Sequence, residues 1–538
     1  MTIVALVATD LSDLREHPGP VPPSAPRRPS VWFLGLVAVV IVASVVVRLV
    51  MLGRQSYWID EIFSVNETDG SLRELVRTGS TEVHTPFWAV LLWLWMKVGG
   101  THEVWTRLLS TLFAVAAVAV SGWGLRSIRL NDHVRWALVV ATAASGTSVV
   151  YSVDTRSYAL LLLASVGLTI VTLRAALLVL DGATVPRRTR LAWAGWVMLA
   201  ATTHLFGAVL AGAALVVLAG TTLLRLPVRA AVRPVLAWTL LTGAGCALQI
   251  AWLLRGLTQP GFASGTDWIR PPTARDLLDL ATTTFSSGDL TTHKDGFAWT
   301  SPVGVLAVVV LIAAAAVHRY RSRPAPSRPA TSERQVAMIL TALGGVAIVS
   351  MFAVSQVVHL WTLRNMVIVT PAVLWGAICC AAAAAGSTGG RKLVATGAVA
   401  LLGLALVPIA AGLTHPYKND FRGLFEYVIS VQQEQPDVTV VFLGRETPWP
   451  WKVASNRAPD DPAWARLQRT AIVERQANAY LGTKKNPRTR TTGPEVVITS
   501  HRVADPKLDQ KASDLLTRLG PDACRRIPIY GIVVVRCH

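Results

Sequence analysis

Long apolar runs recur from Val31 to Leu413, and short arginine-bearing segments separate them. Each run is close to the about 20 residues that a helix needs to cross the hydrocarbon core of a bilayer. The chain of 538 residues is 52% hydrophobic and only 15% charged, whereas soluble domains carry about a quarter charged residues. The pattern therefore predicts a polytopic α-helical membrane protein and excludes a soluble enzyme.

The positions of the arginines indicate how the spans are oriented, because basic residues collect in cytoplasmic loops. Residues 1–30 are polar and proline-rich and are predicted to be a disordered cytoplasmic tail. The transmembrane domain is predicted over residues 31–413, and its first outer loop over 53–103. About eleven spans are expected: Val31–Leu52, Val104–Leu125, Trp136–Val153, Tyr158–Leu180, Leu191–Thr203, His204–Leu224, Val235–Leu254, Ser301–Val317, Gln335–Trp361, Met366–Ala385 and Leu393–Leu413.

Pro86–Val98 is also apolar, but its roughly 13 residues are too few to span, so we predict that it lies along the membrane interface. Arg48 falls near the outer end of the first span. It is expected to extend its charge to the interface or to pair with a carboxylate such as Asp60.

After Leu413 the charged fraction rises and the apolar runs shorten, which predicts a small extracytoplasmic α/β domain over 414–538. The predicted strands are Val438–Leu443, Glu495–Thr499 and Ile527–Val535, and the predicted helices are Phe421–Gln433 and Ser513–Leu519. Cys524 and Cys537 flank the last strand. They form a disulfide if this end is exported, or remain reduced and buried.

The formal net charge of +19 would suggest nucleic acid as a partner of a soluble protein. Here the arginines cluster in the short loops, and no basic segment outside them is interleaved with aromatic residues. We therefore expect the lipid bilayer as a partner and no nucleic acid.

The adjacent carboxylates Asp60 and Glu61 follow the first span and are the leading candidates for chemistry. Loop solubility is one explanation for them. However, charges are costly near a bilayer, and Tyr57 and Trp58 precede this pair while His84 opens the interfacial stretch. A carboxylate placed there could accept a proton from a sugar hydroxyl, the general-base step of an inverting glycosyl transfer.

An ordered set of motifs resembles the GT-C type of membrane glycosyltransferase, particularly its family 39 and protein-mannosyltransferase-like branch. The first is Trp58, Asp60, Glu61 and Ser64, similar to the family's W-x-D-E-x-x-S pattern. The other motifs, in chain order, are His84-Thr85-Pro86-Phe87, Tyr151–Leu160, Thr203-His204-Leu205-Phe206, Arg364-Asn365 with Pro371, and Tyr417–Arg422. Three of them depart from the family pattern at one position each. Thr85 replaces a proline, Asp154 replaces a glutamate and Asn365 replaces a tyrosine.

The resemblance implies a GT-C-like fold and transfer of a sugar from a polyprenyl-phosphate donor at the outer face of the membrane. It implies that Asp60 is the catalytic base and that Glu61 orients the acceptor or shares its proton network. The expected donor-phosphate ligands are Arg364, Arg156 and His204, and the expected acceptor or sugar contacts are His84, Asp154, Tyr57 and Trp58. Arg156 is equally compatible with an interface anchor, whereas the position of Arg364 at the opening of a late span favours phosphate over the same anchor role. Each histidine is also compatible with a satisfied interfacial side chain.

No cofactor is expected. A divalent metal is compatible with this type of enzyme, but no cluster of histidines and carboxylates in the sequence has convincing ligand spacing. The sugar is expected to be mannose, arabinose or a relative, and the acceptor a cell-envelope glycan, lipid or protein. The apolar runs and the positions of the arginines predict a multi-pass plasma-membrane protein with a cytoplasmic N-terminus and an extracytoplasmic C-terminal domain. The resemblance adds the expectation that it is active in cell wall biogenesis.

Two other classes remain open. The chain could be a multi-span transporter or flippase of envelope precursors, although transporters place their charged sites near the midplane in paired halves, and no internal repeat is visible here. It could also be a catalytically inactive relative whose outer domain binds glycan.

Overall fold

The computed structural model describes residues 29–259 apart from 69 and 79–83, residues 269–285, residues 331–443 apart from 358–359 and 415–418, and parts of the C-terminal domain. Those parts are residues 472–473, 482–483, 486–487, 495–500, 513, 516–517, 522, 524–529 and 531–537. The predicted span Ser301–Val317 and most of the predicted helix Ser513–Leu519 lie outside the described residues.

The described part of the transmembrane region is helical. Its α-helices are α1 (Val31–Met51), α2 (Ile59–Glu67), α3 (Leu72–Thr78), α4 (Phe87–Gly99), α5 (Glu103–Gly124), α6 (Asp132–Ala144), α7 (Gly146–Ser152), α8 (Tyr158–Leu180), α9 (Arg187–Thr203), α10 (Leu205–Arg225), α11 (Val228–Gly256), α12 (Ala274–Phe285), α13 (Thr331–Ser355), α14 (Thr370–Ala385) and α15 (Thr388–Thr414). A 3₁₀ segment, Leu363–Val369, precedes α14 directly.

Within the described residues, nine helical segments are long and apolar enough to cross a membrane. They match nine of the predicted spans, although the helix predicted over Gln335–Trp361 ends at Ser355. The predicted span Leu191–Thr203 lies in α9, which has 17 residues and four polar residues in its first turn. Helix α4, with 13 residues, covers the stretch that was predicted to lie along the membrane interface. The fold is thus the polytopic helical one that the apolar runs predict.

A break at Ser145 separates α6 from α7 within one predicted span. Ser145 takes an extended conformation and caps α7. Arg48 is 1% exposed beside this break, and it donates to the carbonyl of Ala143 at 2.8 Å and to the Ser148 hydroxyl at 2.8 Å. The expectation that Arg48 reaches the interface or Asp60 is therefore wrong, because the helix break supplies acceptors inside the protein.

Successive spans run in opposite directions, so the connections between them lie alternately at the two ends of the helical bundle. At one end, which we call the loop end, lie the short connections 125–131, 181–186, 226–227 and 386–387. Glu333 joins the first of these connections to the start of α15, since its carboxylate accepts from the backbone N–H of Asn131 at 3.0 Å and lies 3.7 Å from Arg391. At the other end, the site end, lie α2–α4, residues 153–157, His204 and the 3₁₀ segment.

The C-terminal domain follows α15 at the site end and combines helix α16 (Phe421–Glu434) with a mixed sheet. The strands are β1 (Thr439–Leu443), β2 (Ile472–Val473), β3 (Gly482–Thr483), β4 (Asn486–Pro487), β5 (Glu495–Ser500), β6 (Cys524–Ile529) and β7 (Ile532–Cys537). The five-stranded sheet has the order β2-β1-β5-β7-β6, and β3 pairs with β4 separately. Strand β1 is parallel to β2 and β5, whereas β7 is antiparallel to β5 and β6.

The single strand predicted over Ile527–Val535 is instead a hairpin. Gly531 takes a positive φ of 71° between β6 and β7, a conformation that favours glycine and reverses the chain. The reversal sets Cys524 directly opposite Cys537, and the two form a disulfide. Of the two states that the sequence left open for these cysteines, the structure contains the bonded one.

Candidate active site

Asp60 and Glu61 occupy the first turn of α2, where successive side chains point about 100° apart around the helix axis. They consequently face different neighbours. Asp60 contacts Arg364 from the 3₁₀ segment, whereas Glu61 contacts Arg107 from α5. The acidic pair of the sequence is therefore divided between two separate ion pairs.

Glu61 is completely buried and makes a two-bond ion pair with Arg107. The Nε of Arg107 lies 2.7 Å from Oε1, and its Nη2 lies 2.8 Å from Oε2. Glu61 also accepts from the backbone N–H groups of Thr155 at 2.8 Å and Trp58 at 3.3 Å. This carboxylate fastens α2 to α5 and to residues 153–157, with its oxygens occupied by protein donors.

Asp60 is more open, with its side chain 26% exposed. Its Oδ2 accepts a hydrogen bond from Nη1 of Arg364, whose side chain is 18% exposed. The Arg364 guanidinium also lies over the Trp58 ring, 5.2 Å from the ring centroid. The structure thus brings together one carboxylate, one guanidinium and one indole, with both charged groups partly exposed.

Arg156 adds a second cation beside this pair. Its Nη1 donates to the Ser64 hydroxyl at 3.0 Å and to the backbone carbonyl of Asp60 at 3.4 Å. Ser64 is the serine of the first motif, one turn after Asp60 on α2. The two arginines therefore approach α2 from different elements and meet at Asp60.

His84 and His204 stack on each other with ring centroids 3.8 Å apart. Both lie in turns between helices. Burial lowers the pKa of His84 to about 3, and the charge of Arg156 acts in the same direction. Burial also lowers the pKa of His204 to well below its usual value, with further contributions from His84, Arg156 and Arg364. Both imidazoles are accordingly neutral at physiological pH.

The hydrogen bonds of the two histidines fix their tautomers. Nδ1 of His84 accepts from the backbone N–H of Leu205 at 3.3 Å, and Nδ1 of His204 accepts from Phe206 at 3.2 Å. A neutral imidazole with an accepting Nδ1 carries its proton on Nε2. Each ring is therefore held as a hydrogen-bond donor through Nε2.

Thr85 explains one departure from the family pattern. Its side chain is buried, and its hydroxyl donates to the backbone carbonyl of Thr202. Proline could not make this bond. The threonine thus ties the turn that carries His84 to the end of α9, next to His204.

Several buried donors near the site have no hydrogen-bond partner within the part of the chain that the structure describes. They are Nε1 of Trp58, Nε1 of Trp361, Oγ1 of Thr362 and Nε of Arg156. Trp361 and Thr362 directly precede the 3₁₀ segment that carries Arg364. Buried polar groups are normally hydrogen-bonded, so four unsatisfied atoms in residues that include Trp58, Arg156 and the neighbours of Arg364 are unusual.

Two other predicted site residues are buried. Tyr57 is 2% exposed, its hydroxyl bonds to the Thr106 hydroxyl and to the Thr101 carbonyl, and Arg107 lies over its ring at 5.3 Å. Asp154 is 4% exposed. Tyr57 therefore belongs with the Glu61–Arg107 pair inside the protein, away from the open face of Asp60.

The sequence motifs did not identify Arg107, Trp361 or Thr362. Arg107 could have been found, because an arginine within a predicted span needs a partner, and Glu61 was available as one. Trp361 and Thr362 carry no local signal, since their relation to Asp60 arises only from the packing of the 3₁₀ segment. Within the described residues, no three histidine, cysteine or carboxylate side chains are grouped to hold a metal ion.

The polytopic helical bundle, with short helices after its first span and an α/β domain at the same end, agrees with the expected GT-C-like fold. The crystal structure of ArnT from Cupriavidus metallidurans in the apo state has this fold too. It superposes with a TM-score of 0.50 over 94% of this chain and 98% of that chain, at 14% sequence identity. The crystal structure of the same protein bound to undecaprenyl phosphate gives a TM-score of 0.47, with 14% identity over the same shares. No protein-family model and no curated protein matches the sequence.

Proposed function

We propose that the chain is an inverting glycosyltransferase, which moves a sugar from a polyprenyl-phosphate donor to a cell-envelope acceptor at the outer face of the membrane. The observation that supports this proposal best is the Asp60–Arg364 pair, assembled from elements far apart in the chain and bordered by unpaired donors. A base, a phosphate ligand and oxygen-binding donors are the groups that such a reaction requires.

Asp60 is the catalytic base in this proposal. Its carboxylate accepts the proton of the acceptor hydroxyl while the hydroxyl oxygen attacks the anomeric carbon of the donor. The bond between that carbon and the phosphate oxygen breaks, and its electrons leave with the polyprenyl phosphate, whose charge changes from −1 to −2. Attack from the face opposite the phosphate inverts the anomeric centre.

Arg364 and Arg156 stabilise the charge that develops on the leaving phosphate, a role suited to the forked donors of arginine. In the absence of donor, Arg364 is bonded to Asp60. Arrival of the phosphate gives Arg364 a second anionic partner. Because the guanidinium then shares its donors with the phosphate, its hydrogen bond to Oδ2 of Asp60 weakens, and the carboxylate becomes a stronger base for the acceptor proton.

Glu61 and Tyr57 act indirectly in this account. Both oxygens of Glu61 bind protein donors, so it positions α2 and does not touch the acceptor. His84 and His204 offer their Nε2 protons to sugar or phosphate oxygens, as neutral donors. Trp58 is the remaining proposed acceptor or sugar contact, and Asp154, which is 4% exposed, acts indirectly as Tyr57 does.

The outer-face assignment rests on two features. Four arginines lie at the loop end, namely Arg126, Arg129, Arg187 and Arg188. Because basic residues collect in cytoplasmic loops, they favour a loop end on the cytoplasmic side. The disulfide of Cys524 and Cys537 belongs to the domain at the site end, and disulfides persist in oxidising compartments. Both features favour a site end outside the cytoplasm and a cytoplasmic N-terminus.

The family 39 and protein-mannosyltransferase-like motifs favour mannose, arabinose or a related sugar, transferred to an envelope glycan, lipid or protein. A transporter or flippase is less well supported, because the described charges of Asp60, Arg156 and Arg364 gather at one end and transport sites lie near the midplane.

The experiment is a transfer assay with purified protein in proteoliposomes. Radiolabelled mannosyl and arabinosyl polyprenyl phosphates are offered with a cell-envelope extract as acceptor, and the anomeric configuration of the product is determined. The wild type should produce a labelled product whose configuration is inverted relative to the donor. Asp181→Asn is the matched control for Asp60→Asn, because Asp181 lies at the loop end and is 49% exposed.

We expect Asp60→Asn to lower transfer by about 100-fold or more, the usual contribution of a general base, and Asp181→Asn to retain it. Retention of configuration in the product would contradict the inverting mechanism. Absence of transfer with every donor, together with movement of an intact polyprenyl-phosphate sugar between leaflets, would identify a flippase instead.

A further inference from the structure

The loop from Gly53 to Trp58 joins the first span to α2 and sets where Asp60 stands. Its backbone is held from the membrane side by Arg107. Nη1 of Arg107 donates to the carbonyls of Leu52 and Gln55, both at 2.8 Å, and Nη2 donates to the carbonyl of Ser56 at 3.0 Å. The same guanidinium holds Glu61, so one arginine joins the loop to the first turn of α2.

A second arginine, Arg422, also holds this loop, and it belongs to the C-terminal domain. Nη2 of Arg422 donates to the carbonyls of Gly53 at 3.3 Å and Gln55 at 3.2 Å, and lies 3.4 Å from the carboxylate of Glu103. The backbone N–H of Arg422 donates to the Ser56 hydroxyl at 3.0 Å. The loop is therefore hydrogen-bonded to both α5 and the C-terminal domain.

Arg422 stands on a part of the domain whose position is fixed without it. It is the second residue of α16, where Asp420 caps the helix by accepting from the N–H of Gly423 at 2.9 Å. The buried side chains of Phe421, Leu424, Phe425 and Val428 anchor the helix in the domain core. Arg422 itself points away from that core, with 39% of its side chain exposed.

We propose that Arg422 is a positioning residue for the reaction, through which the C-terminal domain holds the Asp60 loop in register with Arg364. Ser56 lies only three residues before the start of α2, so movement of the loop carries Asp60 with it. Arg364 stands on a separate element and does not follow. The consequence for catalysis rests on the proposed function, and misplacement of a reacting group by about 1 Å can cost on the order of 100-fold in rate.

The test compares Arg422→Ala, Arg422→Lys and Arg536→Ala in the full chain reconstituted in nanodiscs. Arg536 is the matched control because its contacts, with Glu434 at 3.6 Å and the Gln435 side chain at 3.1 Å, stay inside the C-terminal domain. Two readouts are taken: kcat and KM for the lipid donor, and hydrogen–deuterium exchange of the peptide spanning residues 53–64.

Arg422→Ala should lower kcat by about 10-fold or more, with the KM for the donor unchanged within about twofold, because the phosphate ligands remain in place. Exchange in the 53–64 peptide should accelerate. Arg422→Lys should recover part of kcat, since the ammonium can pair with Glu103 but cannot reach both carbonyls as well. Arg536→Ala should leave exchange in this peptide as in the wild type.

The exchange readout stands apart from the proposed function, because it needs no substrate. If the wild type transfers no sugar while Arg422→Ala still accelerates exchange at residues 53–64, the proposed function fails and the positioning of the loop holds. Unchanged exchange in Arg422→Ala would overturn the positioning role. An equal loss of kcat in Arg536→Ala would also overturn it, because general weakening of the domain would then suffice.

Discussion

The carboxylate of Asp60 accepts a hydrogen bond from the guanidinium of Arg364, a residue 304 positions later in the chain. This contact joins the first helix after the first span to the segment that opens a late span. It also sets both residues at one end of the bundle.

Substitution of Arg364 should weaken binding of a polyprenyl phosphate. In the account, Arg364→Gln removes charge-assisted hydrogen bonds to the phosphate, so the Kd for undecaprenyl phosphate should rise about 10- to 100-fold. The Kd of Arg364→Lys should lie between those of the wild type and Arg364→Gln, because an ammonium supplies charge without the paired N–H donors of a guanidinium. Arg270→Gln is the control, since Arg270 is 64% exposed and pairs with Asp276. Titration calorimetry in nanodiscs measures these constants, and an unchanged Kd in Arg364→Gln would contradict the assignment.

Glu61→Gln should destabilise the protein strongly. Removal of one partner from a buried ion pair leaves the Arg107 charge uncompensated, which costs about 3–5 kcal/mol. Asp132→Asn breaks the partly exposed pair of Asp132 and Arg135 and should cost about 0–1 kcal/mol. Thermal unfolding in detergent compares the two variants. A similar small shift in melting temperature for both would show that the Glu61–Arg107 pair is not the buried anchor described here.

The arrangement of these residues was only partly predictable from the sequence. The spans follow from apolar runs of bilayer length, which is a local property, so nine of them appear where predicted. Asp60 was recognisable because a carboxylate after a span is costly. The division of Asp60 and Glu61 between Arg364 and Arg107 was not predictable, because each partner is brought in by helix packing. The hairpin at Gly531 was missed because residues on both sides of the turn are apolar, so that the run Ile527–Val535 resembles one continuous strand.

The histidine pair should make stability dependent on pH. Below about pH 6.5 the unfolded chain binds protons at His84 and His204, whereas the folded chain does not until far lower pH, since the pKa of His84 is lowered to about 3. Stability should therefore fall as the pH decreases from 6.5 toward 4, by about 2 kcal/mol for each histidine at pH 5.

The double variant His84→Asn with His204→Asn should show a shallower decrease, because asparagine keeps an acceptor near the Nδ1 position without titrating. Comparison at pH 7.5, where both states hold neutral histidines, corrects for altered packing. The measurement is the melting temperature across this pH range. An equally steep decrease in the variant would assign the pH dependence to other groups.

The disulfide of the C-terminal domain should report the orientation of the site. Cys524 and Cys537 are bonded, so a membrane-impermeant maleimide should label them in intact cells only after reduction. The double variant Cys524→Ser with Cys537→Ser is the control for labelling at the three free cysteines. Labelling of this pair in inverted vesicles but not in intact cells would place the site end in the cytoplasm, contrary to the proposal.

The most direct test of the reaction centre separates binding from turnover in Asp60→Asn. Single-turnover transfer and the Kd for undecaprenyl phosphate are measured on the same reconstituted sample. The account predicts that transfer falls by about 100-fold or more, while the phosphate binds at least as tightly as to the wild type, because Arg364 loses its competing carboxylate. A transfer rate within about threefold of the wild type would contradict the role of Asp60 as the base.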